Sequence, residues 1–471
     1  MYKKIGLLLV MAVLVGLFIS GCDTFLAPKD ALAPMGANPV GRDYLVVFNG
    51  NNLPKNTDGL VVNAGGEVKT KFAQVGTVLA TAQASSFVTD MSKTAGVKYV
   101  LPDVKLNWLP GEDYKTVLPA DQAGAMQGGV TTQSIGDDEW FFNAYQWSMY
   151  AIDAPAAWDA GYTGVGVRVA VLDTGIDASH PDLAPNVNVA LCTSFVPYEP
   201  YIDDEAGHGT HVAGIIAAAH NGYGTIGVAP NAELVAVKVL DSTGSGDFSW
   251  MINGLLYANS IGAQVVNLSL GAYLPRSGIT FEDGTKIGAN DIAHLVNLIT
   301  RVINYVSSNG TLVVTAAGND SANLTGDASW ISIPAECGDA LSISATGPQG
   351  WAYDPTVSLD TPAYIYTNYG TGVDYAAPGG NVDPDLYAND TPGWWYDLVF
   401  STYPGGWAWM AGTSMACPHV VGEAALILQA HPGASVQRVE TIIRHSSDDL
   451  GKPGRDQWYG QGRVNAAQAV K

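Results

Sequence analysis

The stretch Gly412-Thr413-Ser414-Met415-Ala416-Cys417-Pro418-His419 joins a small polar turn to a long apolar segment, Val420 to Ala430. The apolar segment predicts a buried helix. Ser414 is therefore expected at a turn beside the helix N-terminus, where backbone N–H groups lack partners and the helix dipole is positive. A serine there is either an N-cap, which is its commoner role, or a nucleophile whose developing oxyanion is stabilised by those N–H groups. The stretch alone does not decide between the two roles.

From residue 144 onward, apolar strands alternate with helices. Continuous apolar strands of this kind predict a mainly parallel, doubly wound sheet covered on both faces, and hence an α/β fold with right-handed crossovers. Ligands of such sheets bind outside the carboxyl ends of the strands. The predicted strands are Arg168–Leu172, Leu234–Leu240, Val265–Ser269 and Leu312–Ala316, and the predicted helices are His211–Ala219, Phe248–Ile261 and Ile292–Ser307.

The composition is that of a well-cored globular protein, with 47% hydrophobic and 14% charged residues in a chain of 471. A net charge of −22 disfavours sequence-independent binding to nucleic acid, because no basic stripe is available to neutralise phosphates. A Cys192–Cys337 disulfide is one option that the sequence leaves open. Cys417 is expected to pack as a small buried group in the Ser414 helix.

The first 22 residues are typical of an export signal. Lys3 and Lys4 precede an apolar run from Ile5 to Ile19, and small residues then lead to Cys22. This pattern resembles a bacterial lipoprotein signal, which implies a lipid on Cys22. An ordinary cleaved signal or a single membrane anchor are the alternatives. Residues 23–42 are rich in Ala, Pro, Gly and Asn and are interpreted as a linker.

A small α+β domain is predicted for residues 43–107, with strands at Tyr44–Phe48 and Val97–Leu101. About 65 residues would be only marginally stable alone. Residues 109–138 lose periodicity, and the stretch 108–143 is interpreted as an exposed, cleavable connection to a large domain at 144–471.

Three polar residues fall where the parallel-sheet rule places chemistry. Asp173 directly follows a strand, His208 lies at the start of a helix, and Asn319 comes just past a strand. Asp173 alone could be a turn residue. His208 and His211 lack the spacing and the intervening acid of a helical zinc motif. The amide of Asn319 suits an oxyanion hole.

Asp173, His208 and Ser414 form an orienter, base and nucleophile set in the order found in subtilisin. The blocks Val-Ala-Val-Leu-Asp173-Thr-Gly-Ile-Asp, Gly-His208-Gly-Thr-His-Val-Ala-Gly, Ala-Ala-Gly-Asn319 and Gly-Thr-Ser414-Met-Ala-Cys-Pro-His-Val resemble those of subtilisin-like serine proteases (the subtilase family, peptidase family S8). The resemblance covers about residues 144–471. It implies a three-layer fold, Ser414 as nucleophile, His208 as general base, Asp173 as its orienter and Asn319 as oxyanion donor. His211 and His419 are expected to be structural.

The resemblance also implies where a substrate binds. Gly244-Ser245-Gly246 and Ser269-Leu270-Gly271 would flank an extended peptide and pair with its backbone, whereas ordinary glycine turns are the alternative. Ala316-Ala317-Gly318 would form a small, uncharged wall of the primary specificity pocket, with Asp320 next to it.

A structural Ca²⁺ site is a further implication of the resemblance, and a solvated Asn-Gly loop is the alternative. Extra segments at about 272–290, 348–368 and 381–397 depart from compact subtilisins, and are interpreted as surface loops. The last contains Trp394-Trp395-Tyr396, and its Asp383, Asp385 and Asp390 are further candidate ligands. The oxygens expected at the main site come from the side chains of Gln146, Asp182 and Asn221 and the carbonyls of Ala219, Tyr223 and Thr225.

Residues 43–107 resemble the inhibitory, folding-assisting propeptide of subtilases, and an unrelated binding module is the alternative. The sequence therefore predicts an exported or cell-envelope endopeptidase, which acts as a monomer on protein or peptide substrates and cuts its own precursor between about 108 and 143. The competing hypotheses are a catalytically inactive, lipid-anchored binding protein and a narrow-specificity processing protease.

Overall fold

A computed structural model describes residues 42–109, 114–123, 135–136, 139, 141–281, 285–326 and 329–471. The predicted export signal, Cys22 and the linker up to residue 41 lie outside these described residues. Within the described ranges, no helix is both long and apolar enough to cross a bilayer.

The first folded unit is an antiparallel sheet with two short helices. Its elements are β1 (Arg42–Phe48), α1 (Thr57–Asn63), β2 (Gly66–Phe72), β3 (Thr77–Ala82), α2 (Phe87–Ser92) and β4 (Val97–Pro102), with a 3-10 turn at Ala73–Val75. The strands lie in the order β2-β3-β1-β4. Alternation along β1 divides its side chains between two cores. Val46 and Phe48 pack with α1 and α2, whereas Leu45 and Val47 belong to a core shared with the large domain.

The stretch after β4 contains β5 (Lys105–Asn107), β6 (Lys115–Pro119), α3 (Ala120–Ala123), α4 (Phe142–Tyr145), α5 (Trp147–Ala151) and α6 (Ala154–Asp159). The prediction of an exposed, irregular connection at 108–143 is therefore wrong for part of its length. Trp108 and Leu118 are only 2% and 7% exposed, because β5 and β6 each pair with a strand of the large domain.

The large domain is built on a mainly parallel sheet, which confirms the predicted α/β fold. Its strands are β7 (Arg168–Asp173), β8 (Thr193–Ser194), β9 (Glu233–Lys238), β11 (Val265–Leu268), β15 (Leu312–Ala316), β17 (Leu341–Gly347), β18 (Thr361–Pro362) and β19 (Tyr375–Pro378). Their order is β18-β17-β15-β11-β7-β9-β8, with β19 also on β17. Only β18 among these described strands pairs antiparallel.

Helices cover both faces of this sheet, because alternate residues of each strand point in opposite directions. Val169 and Val171 of β7 belong to the core that contains α7 (His208–Ala217) and α11 (Thr413–Ala430). Ala170 and Leu172 belong to the core that contains α8 (Phe248–Ser260) and α9 (Ala289–Ser308). The helices are α7 (His208–Ala217), α8 (Phe248–Ser260), α9 (Ala289–Ser308), α10 (Pro384–Ala388), α11 (Thr413–Ala430), α12 (Val436–Ser446) and α13 (Ala466–Ala469), and Trp394–Asp397 form a 3-10 turn.

Several smaller pairings surround the sheet. The remaining strands are β10 (Ser245–Asp247), β12 (Ala272–Pro275), β13 (Gly278–Thr280), β14 (Lys286–Gly288), β16 (Trp330–Ile333), β20 (Val399–Tyr403) and β21 (Gly406–Met410). The pairs are β10 with β5, β12 with β16, β13 with β14, and the three-stranded set β20-β21-β6. The segment 272–290 is thus more regular than the predicted surface loop, since it contains β12, β13 and β14.

The antiparallel sheet of the first unit packs on α8 and α9. Asp103 accepts a hydrogen bond from the backbone N–H of Ser249 in the first turn of α8, at 3.1 Å. Tyr99 stacks on His294 of α9 with ring centroids 4.2 Å apart, and Arg301 donates to the Val75 carbonyl at 3.1 Å. A carboxylate at a helix N-terminus is stabilised by the unpaired N–H groups there. These contacts hold the first unit against the large domain.

Cys192, Cys337 and Cys417 are free thiols in this structure, so the open Cys192–Cys337 option is not realised. Cys417 is fully buried in α11, as expected.

Glu423 of α11 provides a test of how the core responds to pH. It is fully buried, and burial raises the pKa of its carboxyl to about 8 from an ordinary 4.5. The folded protein therefore keeps a proton that the unfolded chain releases above about 4.5, and stability is lost progressively as pH rises from there through 8. Within this range, each pH unit costs the folded state about 1.4 kcal/mol. We expect Glu423→Gln to reduce the loss of Tm between pH 6 and pH 9 by several degrees.

Calorimetry across this pH range measures the effect, in a Ser414→Ala background that prevents self-digestion. Glu67→Gln, at an exposed glutamate, is the matched control. An equal pH dependence in the Glu423→Gln variant and the control would contradict the assignment.

Candidate active site

Asp173 and His208 meet at the carboxyl end of the sheet. Asp173 is the last residue of β7, and His208 is the first residue of α7. The Oδ1 atom of Asp173 lies 2.7 Å from Nδ1 of His208, and both side chains are shielded from solvent. A buried carboxylate that accepts a hydrogen bond from Nδ1 keeps the proton on that nitrogen. Nε2, on the opposite side of the ring, can then act as a base.

A second carboxylate that the sequence analysis missed supports this pair. Asp204 accepts hydrogen bonds from the Thr174 hydroxyl at 2.6 Å and from the Thr210 N–H at 2.8 Å. Thr174 in turn donates through its backbone N–H to Asp173 at 2.7 Å. Asp204 therefore ties the residue after Asp173 to the first turn of α7. Its position four residues before His208 was the available sequence signal.

Ser414 lies in the first turn of α11, one residue after the start of the helix. Gly412 is the N-cap, so Ser414 is not the helix cap. The Ser414 hydroxyl lies 3.4 Å from the Ser269 carbonyl, and the Ser269 hydroxyl donates to the Ser414 carbonyl at 2.7 Å. Helices α7 and α11 pack against each other, which brings the segments of His208 and Ser414 together.

Asn319 is oriented by Thr413, another residue that the sequence analysis missed. The Oδ1 atom of Asn319 accepts from both the backbone N–H and the hydroxyl of Thr413, each at 2.9 Å. Because its oxygen is engaged in this way, the amide NH₂ is directed elsewhere. It lies beside Gly412, where an added Cβ would be 3.2 Å from Nδ2. The structure thus presents an amide donor next to Ser414.

His211 and His419 are fully buried and bonded to backbone groups. Nε2 of His211 lies 3.0 Å from the Ala408 carbonyl, and Nδ1 of His419 lies 2.8 Å from the Met415 carbonyl. Burial lowers the pKa of His211 to about 3 and that of His419 to about 4, so both are neutral at physiological pH. This agrees with the structural role expected for them.

The chain's own residues 105–108 lie between the two segments predicted to bind substrate. β5 pairs antiparallel with β10, with Leu106 opposite Gly246. The Trp108 N–H donates to the Gly244 carbonyl, and the Gly271 N–H donates to the Trp108 carbonyl, both at 2.9 Å. The Trp108 indole N–H also bonds the Gly246 carbonyl at 2.8 Å. One peptide strand is therefore held by both segments at once.

The segment Ala316-Ala317-Gly318 begins with the last residue of β15 and lies beside the start of α11. Gly318 donates its N–H to the Thr413 hydroxyl at 3.1 Å, and its φ of +107° is a conformation that favours glycine. The Ala317 carbonyl accepts from Asn368 at 2.9 Å. Burial raises the pKa of the neighbouring Asp320 to about 6. The segment predicted to form a wall of the primary specificity pocket thus consists of small, uncharged residues, and Asp320 is the carboxylate next to it.

Comparison with known proteins decides the family, because the family model described as "Subtilase family" (peptidase S8) matches residues 164–462. This chain belongs to the subtilase family. An alkaline protease of Alkalihalobacillus alcalophilus is 40% identical over 326 residues, which cover 69% of this chain and 70% of that relative. Subtilisin Savinase of Lederbergia lenta is 39% identical over 326 residues, covering 69% of this chain and 98% of the relative.

Two solved structures extend the likeness to the fold. A lanthipeptide protease has 28% identity and a TM-score of 0.57, and the match covers 70% of this chain and 95% of that one. An epidermin leader peptide processing serine protease (EpiP) of Staphylococcus aureus has 20% identity and a TM-score of 0.69, with 92% and 99% covered, and shows the shared fold alone. The protein is thus a subtilisin-like serine endopeptidase.

The structure of this subtilase shows the hydrogen bonds of the loop expected to bind Ca²⁺. The Gln146 side chain bonds both backbone groups of Ile226, at 2.9 Å and 2.8 Å, so its oxygen already has a donor. A carboxylate that the sequence analysis missed lies against the loop instead. Glu139 accepts the N–H groups of Asn221 at 2.8 Å and Tyr223 at 2.6 Å. Glu139 thus brings a charged side chain to this loop, beside the neutral amide of Gln146.

Asp182 retains the chemistry of a cation ligand. Its Oδ2 atom accepts from the Thr225 N–H at 2.8 Å and from the Trp407 indole at 3.0 Å. Its Oδ1 atom is buried and has no hydrogen-bond partner among the described residues. Burial raises the pKa of Asp182 to about 7, and burial with the nearby Asp182 charge raises that of Glu139 to about 7. Two buried carboxylates, one with an orphaned oxygen, fit a cation.

The other candidate ligands do not cluster. In the part of the chain that the structure describes, no three His, Cys, Asp or Glu side chains are grouped as a metal site. Asp383 accepts from the N–H of Asp385 and caps α10, at 2.9 Å. Asp390 has a φ of +46° in the turn after that helix. Asp383 therefore has a local role as a helix cap.

Proposed function

We propose that the protein is exported and hydrolyses peptide bonds through Ser414, His208 and Asp173, after cutting its own precursor. The observation that carries the peptidase part of this proposal is the peptide strand 105–108, which both segments predicted to bind substrate hold by backbone hydrogen bonds. Backbone pairing of this kind binds a polypeptide with little regard to its side chains. A protein substrate would take the same path.

The proposed reaction is acyl transfer in two steps. His208 removes the proton of the Ser414 hydroxyl as the oxygen attacks the scissile carbonyl, and then gives that proton to the leaving amine. Water attacks the resulting acyl-enzyme in the second step, again with His208 as base. Asp173 orients the ring and stabilises the imidazolium. The charge on the tetrahedral oxygen is shared between the Asn319 amide and the Ser414 N–H.

Asn319→Ala is expected to lower kcat by about 10²–10³, the magnitude that loss of this donor has in subtilisin, with little change in KM. The reason is that the amide interacts with the oxyanion and not with the ground-state carbonyl. Steady-state kinetics on a chromogenic peptide measure the effect. Thr413→Ala, which frees the Asn319 oxygen, should give a smaller loss of the same kind. A kcat within threefold of wild type in Asn319→Ala would contradict the role.

Residues 43–107 are proposed to be an inhibitory propeptide, with the protein's own strand 105–108 as the inhibiting segment. Its contacts to α8 and α9 and its occupation of the substrate segments support this proposal. Cleavage within about 108–143 would release it. A lipid on Cys22, in the proposed lipoprotein signal, would anchor the precursor in the cell envelope and leave with the propeptide. The mature enzyme is proposed to be a monomer that is secreted.

We further propose that Ca²⁺ binds at the loop 219–225, held by Asp182, Asn221 and the carbonyls of Ala219, Tyr223 and Thr225, with Glu139 in place of Gln146. Bound Ca²⁺ would neutralise the two buried carboxylates and stabilise the loop. Removal of Ca²⁺ by chelation is expected to lower Tm by about 5 °C or more, since a ligand at 100 times its Kd contributes about 2.7 kcal/mol.

Differential scanning calorimetry of the Ser414→Ala protein, with and without a chelator, checks this expectation. Mg²⁺ in place of Ca²⁺ is the control, because its smaller, stricter octahedral shell does not suit a loop of carbonyls. A Tm that is indifferent to the chelator would refute the calcium proposal and leave the peptidase proposal untouched.

Fluorophosphonate labelling tests the proposed function directly. The reagent forms a covalent bond only with a serine that an adjacent base activates. We expect the processed enzyme to be labelled at Ser414, as located by peptide mass spectrometry, and to hydrolyse a denatured protein. The absence of both labelling and hydrolysis in a folded, processed sample would support the inactive binding protein instead.

A further inference from the structure

The edge strand beside the nucleophile is covered by a segment of the precursor. β21 runs directly into Gly412 and Ser414, and β6 pairs with it antiparallel over its whole length. The pairing continues at both ends, from the Ala411 N–H to the Tyr114 carbonyl at 3.2 Å and from the Ala120 N–H to the Gly405 carbonyl at 3.0 Å. The edge is therefore a strand-addition site about six residues long that is occupied in this form of the chain.

Two described stretches of the precursor occupy two different strand edges of the large domain. Residues 105–108 lie between the substrate segments on one side, and residues 114–119 lie on β21 on the other side. Because β6 is antiparallel to β21, Tyr114 is its end nearest to Ser414 and Pro119 its far end. The first stretch corresponds to the acyl side of a bound peptide, and the second to its leaving-group side.

Aromatic side chains of the extra segments receive the start of β6. The Tyr114 ring lies 5.3 Å from that of Tyr387, edge to face, and 6.5 Å from that of Tyr366. The Lys115 ammonium lies 5.3 Å from the centre of the Tyr403 ring and donates to its hydroxyl at 3.3 Å. Aromatic pairs and cation–π contacts of this geometry are favourable. The segments 348–368 and 381–397 thus supply Tyr366 and Tyr387 to one small site.

We propose that the edge of β21, with Tyr366, Tyr387 and Tyr403, is an extended binding site for the leaving-group side of protein substrates. It becomes available when the precursor segment 114–119 is removed. The substrate then adds a strand in place of β6 and prefers an aromatic residue at the position of Tyr114, followed by a basic one. This inference rests on the proposed peptidase function and identifies the surface that binds the leaving-group side of its substrate.

Quenched fluorescent peptides of two lengths test the proposal on the mature enzyme. All share one acyl side. Short peptides end two residues after the scissile bond, and long peptides carry Tyr-Lys-Thr-Val-Leu-Pro after zero to three glycine spacers. We expect at least one long peptide to exceed the short one about tenfold in kcat/KM. If the short peptide is hydrolysed and no long peptide, whatever its spacer, has a higher kcat/KM, this inference is overturned while the peptidase function stands.

N-methylation of the long peptide provides a matched control. The bonds at Ala411 and Ala120 set the alternation of the ladder, so the N–H groups at the Thr116 and Leu118 positions face β21. Those at the Lys115 and Val117 positions face away. Methylation at the first pair should abolish the gain, and methylation at the second pair should preserve it. Equal losses from both would overturn the strand-addition geometry.

A variant and a mass measurement complete the test. Tyr387→Ala should lower the preference for Tyr over Ala at the Tyr114 position at least threefold, whereas Tyr364→Ala, at an exposed tyrosine that packs on Trp458, should not change it. The mass of the mature enzyme must show that residues 114–119 are absent. A mature enzyme that retains them would keep its edge covered and would overturn the proposal.

Discussion

Ser414→Ala is expected to lower kcat by about six decades and to leave the precursor uncut at its full mass. The magnitude is that of the nucleophile's loss in subtilisin, where the remaining machinery still gives some rate over water. The physical reason lies in the position of the hydroxyl, in the first turn of α11 and beside the Asn319 amide that would receive the oxyanion. Without the hydroxyl, no acyl-enzyme forms.

Intact-mass spectrometry of wild type and variant, expressed side by side, measures the processing. Ser358→Ala, at an exposed serine of the 348–368 segment, is the matched control and should be processed like wild type. The Tm of the Ser414→Ala precursor should be near that of wild type in complex with its propeptide, because the hydrogen bond from the lost hydroxyl to the Ser269 carbonyl is long, at 3.4 Å. Identical processed bands from both proteins would show that another protease cuts the chain.

Asp173→Asn is expected to lower kcat by about four decades with little change in KM. The carboxylate accepts from Nδ1 of His208 at 2.7 Å, whereas an amide NH₂ in its place would favour the tautomer with the proton on Nε2. That tautomer cannot accept the Ser414 proton. In subtilisin the loss of this aspartate costs about 3 × 10⁴ in kcat, less than the loss of the nucleophile.

Kinetics on a small peptide separate this role from a structural one. Asp204→Asn is the matched comparison, because Asp204 is also buried but accepts its hydrogen bonds from Thr174, Gly207 and Thr210. We expect Asp204→Asn to lower kcat much less than Asp173→Asn does and to leave the pH profile of kcat unchanged. A loss in kcat below tenfold in Asp173→Asn would contradict the proposed role of Asp173 and would indicate that another residue orients His208.

Sequence patterns were sufficient for the parts of the site that follow from local structure. The apolar run Arg168–Leu172 predicted a buried strand, and the structure places Asp173 as the last residue of that strand. His208 was expected at a helix start and begins α7. The helix of Ser414 begins earlier than its apolar run suggested, because small residues such as Ser414 and Ala416 do not signal a helix by hydrophobicity.

Contacts between distant segments were beyond these patterns. Thr413 orients Asn319 across 94 positions of sequence, and Glu139 reaches Asn221 across 82. The residues that were missed are polar groups whose partners depend on which loops meet. Gln146 was predicted from its position to be a Ca²⁺ ligand, and its hydrogen bonds to the backbone of Ile226 were likewise not evident from the sequence.

The sequence by itself determined the α/β sheet, its helices and the presence of Asp173, His208, Asn319 and Ser414 at element ends, because the periodicities of strands and helices are local properties. Only the tertiary structure decided that residues 105–108 lie between the two segments predicted to bind substrate and that β6 covers β21. Backbone hydrogen bonds between strands carry no side-chain signature, so their pairing depends on how the whole chain packs.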